Sequence, residues 1–111
     1  MKKAVNGNQN KEIRGRILKI LYMNYPQPTG DHLISEILTD IQYSISPAKV
    51  NGLITYLAEK KYVLQDTAEI PEYDISRNLV KLTSKGIDLI EGNIDPDPGV
   101  ILWLSEGSTI K

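Results

Sequence analysis

The chain contains no cysteine and no phenylalanine, a single histidine and a single tryptophan. Without cysteine there is no disulfide, no thiolate metal site and no cysteine nucleophile. His32 has neither a second histidine nor a cysteine to complete a common zinc set. Asp31 beside it does not form a catalytic pair, because adjacent helical residues point apart. Glycine-rich phosphate loops of the Walker or dinucleotide type are missing, and no serine stands in a nucleophile-elbow context. Asp95 and Asp97 fall in a proline-rich stretch, poorly placed for acid–base work or metal binding. These absences predict a binding module rather than an enzyme, with no cofactor and no metal. No apolar run approaches the roughly 18–20 residues needed to cross a bilayer, and the basic N-terminus leads into no apolar signal core. A cytoplasmic protein with no membrane partner is the expectation.

What is present suits one globular domain: 111 residues, 41% of them hydrophobic and 24% charged. The net charge of −1 conceals an asymmetry. Lys2, Lys3, Lys11, Arg14, Arg16 and Lys19 face only Glu12 in the first 19 residues, whereas Asp66, Glu69, Glu72 and Asp74 face only Arg77 between 62 and 78. The whole chain is therefore not strongly basic, yet its first segment is suited to phosphate.

Along the chain, residues 1–10 are polar and read as a flexible arm. A first helix is predicted over 11–25, with Ile13, Ile17, Ile20 and Leu21 on one face and Lys11, Glu12, Arg16 and Lys19 opposite. Glu12 stands four residues before Arg16, the favourable order for an ion pair. Pro26 and Pro28 end this helix. A second helix is predicted over 31–41, with Asp31 as N-cap and Leu33, Ile34, Ile37, Leu38 and Ile41 as its apolar stripe. After a short turn, a third helix begins with Ser46 as N-cap and Pro47 at its first position. It buries Val50, Leu53, Ile54 and Leu57 and ends near Lys60 or Lys61. Strands follow over 62–67 and 79–82, separated by about eleven residues that read as an extended loop. Thr83 caps a last helix over 84–91, closed by Gly92 and Asn93. The domain thus spans 11–92, and 93–111 is a tail: a stiff proline-rich linker, the apolar run VILWL over 100–104, and a frayed end.

Three helices, two strands joined by a loop, and a further helix is the order of a mainly α winged helix-turn-helix domain with a small β-hairpin. The segment SPAKVNGLITYLAEKKYV resembles the recognition-helix region of winged-helix regulators, and KLTSKGIDLIEG resembles their second wing strand running into the next helix. More narrowly, the short length, this third-helix segment and the PDPGV tail resemble the small winged-helix proteins encoded by Mu-like phages and prophages. The resemblance covers roughly 11–92. It implies a transcription-regulator-like protein, phage or prophage encoded, that binds double-stranded DNA with its third helix in the major groove. The sequence departs from that pattern in its wing, which is acidic where DNA-binding wings are usually basic.

Opposite its buried stripe the third helix presents Ala48, Asn51, Gly52, Thr55 and Glu59, flanked by Lys49 and Tyr56. Asn51 has the groups to pair with adenine, the Thr55 methyl to meet a thymine methyl, and Lys49 to meet phosphate or guanine. Ser46 and the helix start offer a phosphate site, and Arg14, Arg16 and Lys19 offer sequence-independent contacts. Each of these also reads as an ordinary solvent-facing residue, the commoner case. Gly52, unfavourable in mid-helix, marks either close approach to a helix or DNA, or tolerated drift. The tail leaves two readings open: it folds back over the first helix, or it forms a homodimer through 100–104 or through the first helix. The alternative function is a winged-helix protein-interaction module that binds a protein partner and no DNA.

Overall fold

In a computed structural model the chain is described over residues 7–102. Four α-helices and a three-stranded antiparallel sheet enclose one core. Helix α1 spans Gly7–Asn24 and buries Ile13, Ile17, Leu18 and Leu21. It starts four residues earlier than the periodicity predicts, so 7–10 belong to the helix and not to a flexible arm. The polar first turn carries no apolar signal, yet Gln9 and Asn10 face a cleft walled by Tyr43, Ser44 and Ile45. The arm's other residues, 1–6, lie outside the described residues.

Helix α2 (Asp31–Asp40) buries Ile34 and Leu38 while Leu33 and Ile41 remain exposed, so its apolar stripe is narrower than expected. Its N-cap is Gly30, not Asp31. Asp31 instead occupies the first helical position, buried, where its carboxylate accepts the His32 N–H at 2.9 Å and complements the positive helix end; contrary to the expectation that the two side chains point apart, the same oxygen lies 3.3 Å from the His32 ring Nδ1.

Helix α3 (Pro47–Glu59) begins as its sequence dictates. The Ser46 hydroxyl oxygen accepts the Lys49 N–H at 3.2 Å, and Pro47 fills the position that needs no donor. Val50, Ile54 and Leu57 are fully buried and Leu53 nearly so. Glu12, expected to pair with Arg16, instead accepts the Tyr43 hydroxyl at 2.7 Å, which ties α1 to the turn before α3.

The sheet differs most from expectation. Strands β2 (Val63–Ile70) and β3 (Ile75–Leu82) pair antiparallel without interruption from Val63↔Leu82 to Ile70↔Ile75. (We number the two-residue strand Thr29–Gly30 as β1.) The long loop predicted between the strands does not exist. A single 3-10 turn, Pro71–Tyr73, followed by Asp74 in the left-handed region, joins them. Backbone pairing carries the hairpin through AEI and ISRN, where charged and polar side chains hide the strand pattern. Strand β1 pairs with β3 (Thr29↔Val80, Gly30↔Leu79), giving the order β1-β3-β2. Two residues in a proline-rich connector carry no periodicity, so β1 was not foreseeable.

Helix α4 (Ser84–Glu91) starts with Thr83 accepting the Gly86 N–H at 3.1 Å and ends at Gly92, whose φ of 80° suits a residue without Cβ. The described part of the tail folds back. The Ile101 N–H donates to the Lys11 carbonyl at 3.1 Å, and the tail passes so close to α1 that a Cβ on Gly15 would overlap the Ile101 carbonyl. Residues 100–102 lie against the core and α1; Trp103 and Leu104 lie outside the described residues. No helix among the described residues is long and apolar enough to cross a membrane.

Candidate nucleic-acid interface

With the Val50, Ile54 and Leu57 stripe turned inward, α3 exposes Ala48, Lys49, Gly52, Thr55 and Glu59. A Cβ built on Gly52 meets nothing within 4 Å. Packing among the described residues therefore does not explain this glycine. Thr55 uses its hydroxyl inside the helix, donating to the Asn51 carbonyl at 2.9 Å. Ser46 is exposed, but its hydroxyl oxygen is occupied by the cap bond to Lys49.

Asn51 stands apart from that open face. Its amide donates to Asp31 Oδ2 at 2.8 Å and to the Pro47 carbonyl at 3.1 Å, while its oxygen accepts from Asn78 at 2.6 Å. Asn78 donates in turn to Gln65 at 2.9 Å. A polar chain thus links the start of α2, the flank of α3 and both strands of the hairpin. Burial pushes the Asp31 carboxyl upward, but the bonds from Asn51 and His32 outweigh it and leave the group below its ordinary range. An amide so fully used reaches a base only by giving up these partners. The sequence offered no sign of this, because the partners are 20 and 27 residues away.

The α1 cations separate in the same way. Arg14 is held within the protein: its guanidinium lies over the Tyr56 ring, 3.8 Å from the centroid, and donates to the Gly99 carbonyl at 3.1 Å. Arg16 is half-buried, and its Nε is buried with no hydrogen-bond partner among the described residues. Lys19 is half-buried. Lys49 is the candidate cation that lies exposed beside the α3 face.

Asp97, placed by the sequence in an inert linker, is a buried anchor. It accepts the Tyr62 hydroxyl at 2.6 Å and the Gly99 N–H at 2.7 Å, and Lys60 Nζ lies 3.5 Å away. Burial raises the carboxyl, but these partners outweigh it and hold it below its ordinary range; burial and the same bond push the Tyr62 hydroxyl up to about 12. Arg14, Tyr56, Tyr62 and Asp97 together pin the tail against α1 and the C-terminal half of α3. The DPG segment held the signal, since Asp followed by Pro-Gly is turn chemistry, but its partner Tyr62 lies 35 residues earlier.

The hairpin turns one side toward α3. Gln65, Thr67, Glu69, Ser76 and Asn78 share the side of Val63, Val80 and Leu82, as strand alternation requires. The side of the hairpin whose Asn78 reaches Asn51 thus carries polar groups and one carboxylate, and no lysine or arginine. No protein-family model matches the chain, and no curated protein matches its sequence.

Proposed function

We propose that the protein is a DNA-binding, transcription-regulator-like winged-helix protein of phage or prophage type, with α3 as its major-groove element. The observation that carries this reading is the open, small-residue face of Ala48, Gly52 and Thr55, beside exposed Lys49. A glycine in mid-helix costs about 1 kcal/mol relative to alanine, and no contact within the described chain offsets that cost at Gly52. Close approach of the helix to a groove floor offsets it. In this reading Lys49 meets phosphate or a guanine edge, and Asn51 acts as a positioning residue that sets the hairpin against α3. Arg14 supports the fold, and Arg16 is the α1 candidate for backbone contact.

The test is binding to mixed-sequence duplex DNA over a range of salt. Phosphate contact predicts a steep loss of affinity as salt rises, and Lys49→Glu lowers affinity with the fold intact. Absence of binding even at low salt rejects the proposal. A second reading, a protein-interaction module of the same fold, draws on the acidic hairpin and on the apolar groove between α1 and α2, where Met23 is 85% and Leu33 48% exposed. It takes the lead if DNA binding is absent.

A further inference from the structure

The order β1-β3-β2 leaves β2 at the edge of the sheet, and among the described residues no strand pairs with its outer side. Eight residues of extended chain, free of proline and paired to β3 without a bulge, therefore present unpaired backbone groups. Natural proteins usually blunt such an edge. Among the described residues its protection is the exposed carboxylates of Asp66 and Glu69 and one side-chain bond, Asp66 Oδ1 accepting the Thr67 N–H at 2.9 Å. Two independent bonds show which backbone groups point outward. Thr83 N–H donates to the Tyr62 carbonyl, so the Tyr62–Thr83 pair and, by alternation, the pairs of Leu64, Asp66, Ala68 and Ile70 face β3. Val63, Gln65, Thr67 and Glu69 then direct their N–H and C=O groups to the free edge, in agreement with the bond from Thr67 to a side chain.

We propose that this edge pairs with β2 of a second copy of the chain, antiparallel and centred on Thr67. A two-fold axis through an antiparallel pair must pass between residues of one kind, and outward-pointing Thr67 opposite its own copy meets that condition. This register uses more of the strand than one centred on Gln65 or Glu69. It sets Leu64, 62% exposed, across from Ile70, 39% exposed. Asp66 falls opposite Ala68, and Glu69 opposite Gln65. No two like charges stand directly across from one another, and the apolar residues meet, which is the complementarity a stable cross-strand set requires. The axis is perpendicular to the sheet, so the resulting six-stranded sheet keeps both α3 helices on one side. Two reading helices on one surface is the arrangement that paired half-sites demand, although the dimer does not depend on DNA binding.

The experiment is sedimentation equilibrium of the full chain from micromolar concentration to about 1 mM, combined with crosslinking. The chain has no cysteine, so single-cysteine variants report without background. The expected result is concentration-dependent dimerisation that Thr67→Pro weakens at least tenfold. The outward Thr67 N–H makes no bond to β3, so that change leaves the hairpin ladder intact. Under mild oxidation the Thr67→Cys variant links into a covalent dimer, since directly opposed Cα atoms about 5.5 Å apart fall within disulfide reach; the Lys81→Cys variant, altered on β3, does not. A chain that stays monomeric throughout overturns the proposal. So does a dimer that folded Thr67→Pro leaves unchanged. So does a Thr67→Cys variant that fails to crosslink, or crosslinks no better than Lys81→Cys. If Thr67→Pro does not fold, the crosslinking comparison decides alone.

Discussion

Replacing Gly52 with alanine separates fold from function, because the two respond with opposite signs. The residue lies mid-way along α3, exposed, and the added Cβ meets no atom within 4 Å. Its φ is not in the left-handed region, where Gly92 is the one described glycine. Nothing among the described residues therefore opposes the change, and the helix gains the full alanine preference of about 1 kcal/mol. For a domain of this size that amounts to a rise in Tm of roughly 4–8 °C, measurable by calorimetry or far-ultraviolet circular dichroism. If α3 lies against the floor of a DNA groove, the same methyl intrudes into a packed contact. Overpacking costs about 1–3 kcal/mol, or roughly five- to a hundred-fold in affinity, read by fluorescence anisotropy with labelled duplex. A fall in Tm would show that the face is not open. A rise in Tm with DNA affinity unchanged would refute Gly52 as a point of close approach.

Asn51→Ala is expected to destabilise the protein by about 1–3 kcal/mol in denaturant unfolding, since it strips a partner from buried Asp31 and uncouples Asn78. A loss confined to DNA affinity, with stability unchanged, would return Asn51 to the reading face. Asp97→Ala leaves the buried Tyr62 hydroxyl without its acceptor and is expected to cost about 1.5–3 kcal/mol, with Asp97→Asn milder. Asp97 and Asp31 both sit below the ordinary aspartate range. Their contribution is therefore complete above about pH 4, the unfolded value, and disappears as the pH falls through the depressed folded values. Asp97→Asn should flatten that acid limb, and an unchanged pH profile would argue against the anchor. Gly15→Val forces the Ile101 carbonyl off α1 and is expected to release the tail, seen as new protease cleavage near residue 100 without loss of the helical signal.

The sequence by itself determined that four helices form and, for α3 and α4, what bounds them. Serine before proline fixed the start of α3, Thr83 and Gly92 bounded α4, and the spacing of Val50, Ile54 and Leu57 set which side of α3 is buried. These are local matters of capping, backbone preference and period. The open side of α3, with Lys49, Gly52 and Thr55 exposed, follows from the same period. Tertiary structure decided everything that depends on distant partners. The hairpin extends through residues whose side chains give no strand pattern, because inter-strand hydrogen bonds are made by backbone. Strand β1 exists only because β3 had a free edge. In sequence Asn51 looks like a base contact and Arg14 like a phosphate contact, yet Asp31, Asn78, Tyr56 and Gly99 claim them, and no helical wheel contains those neighbours. Asp97 became an anchor for the same reason: a buried carboxylate is tolerable only where donors converge on it, and chain folding brought Tyr62, Lys60 and the Gly99 N–H to one point.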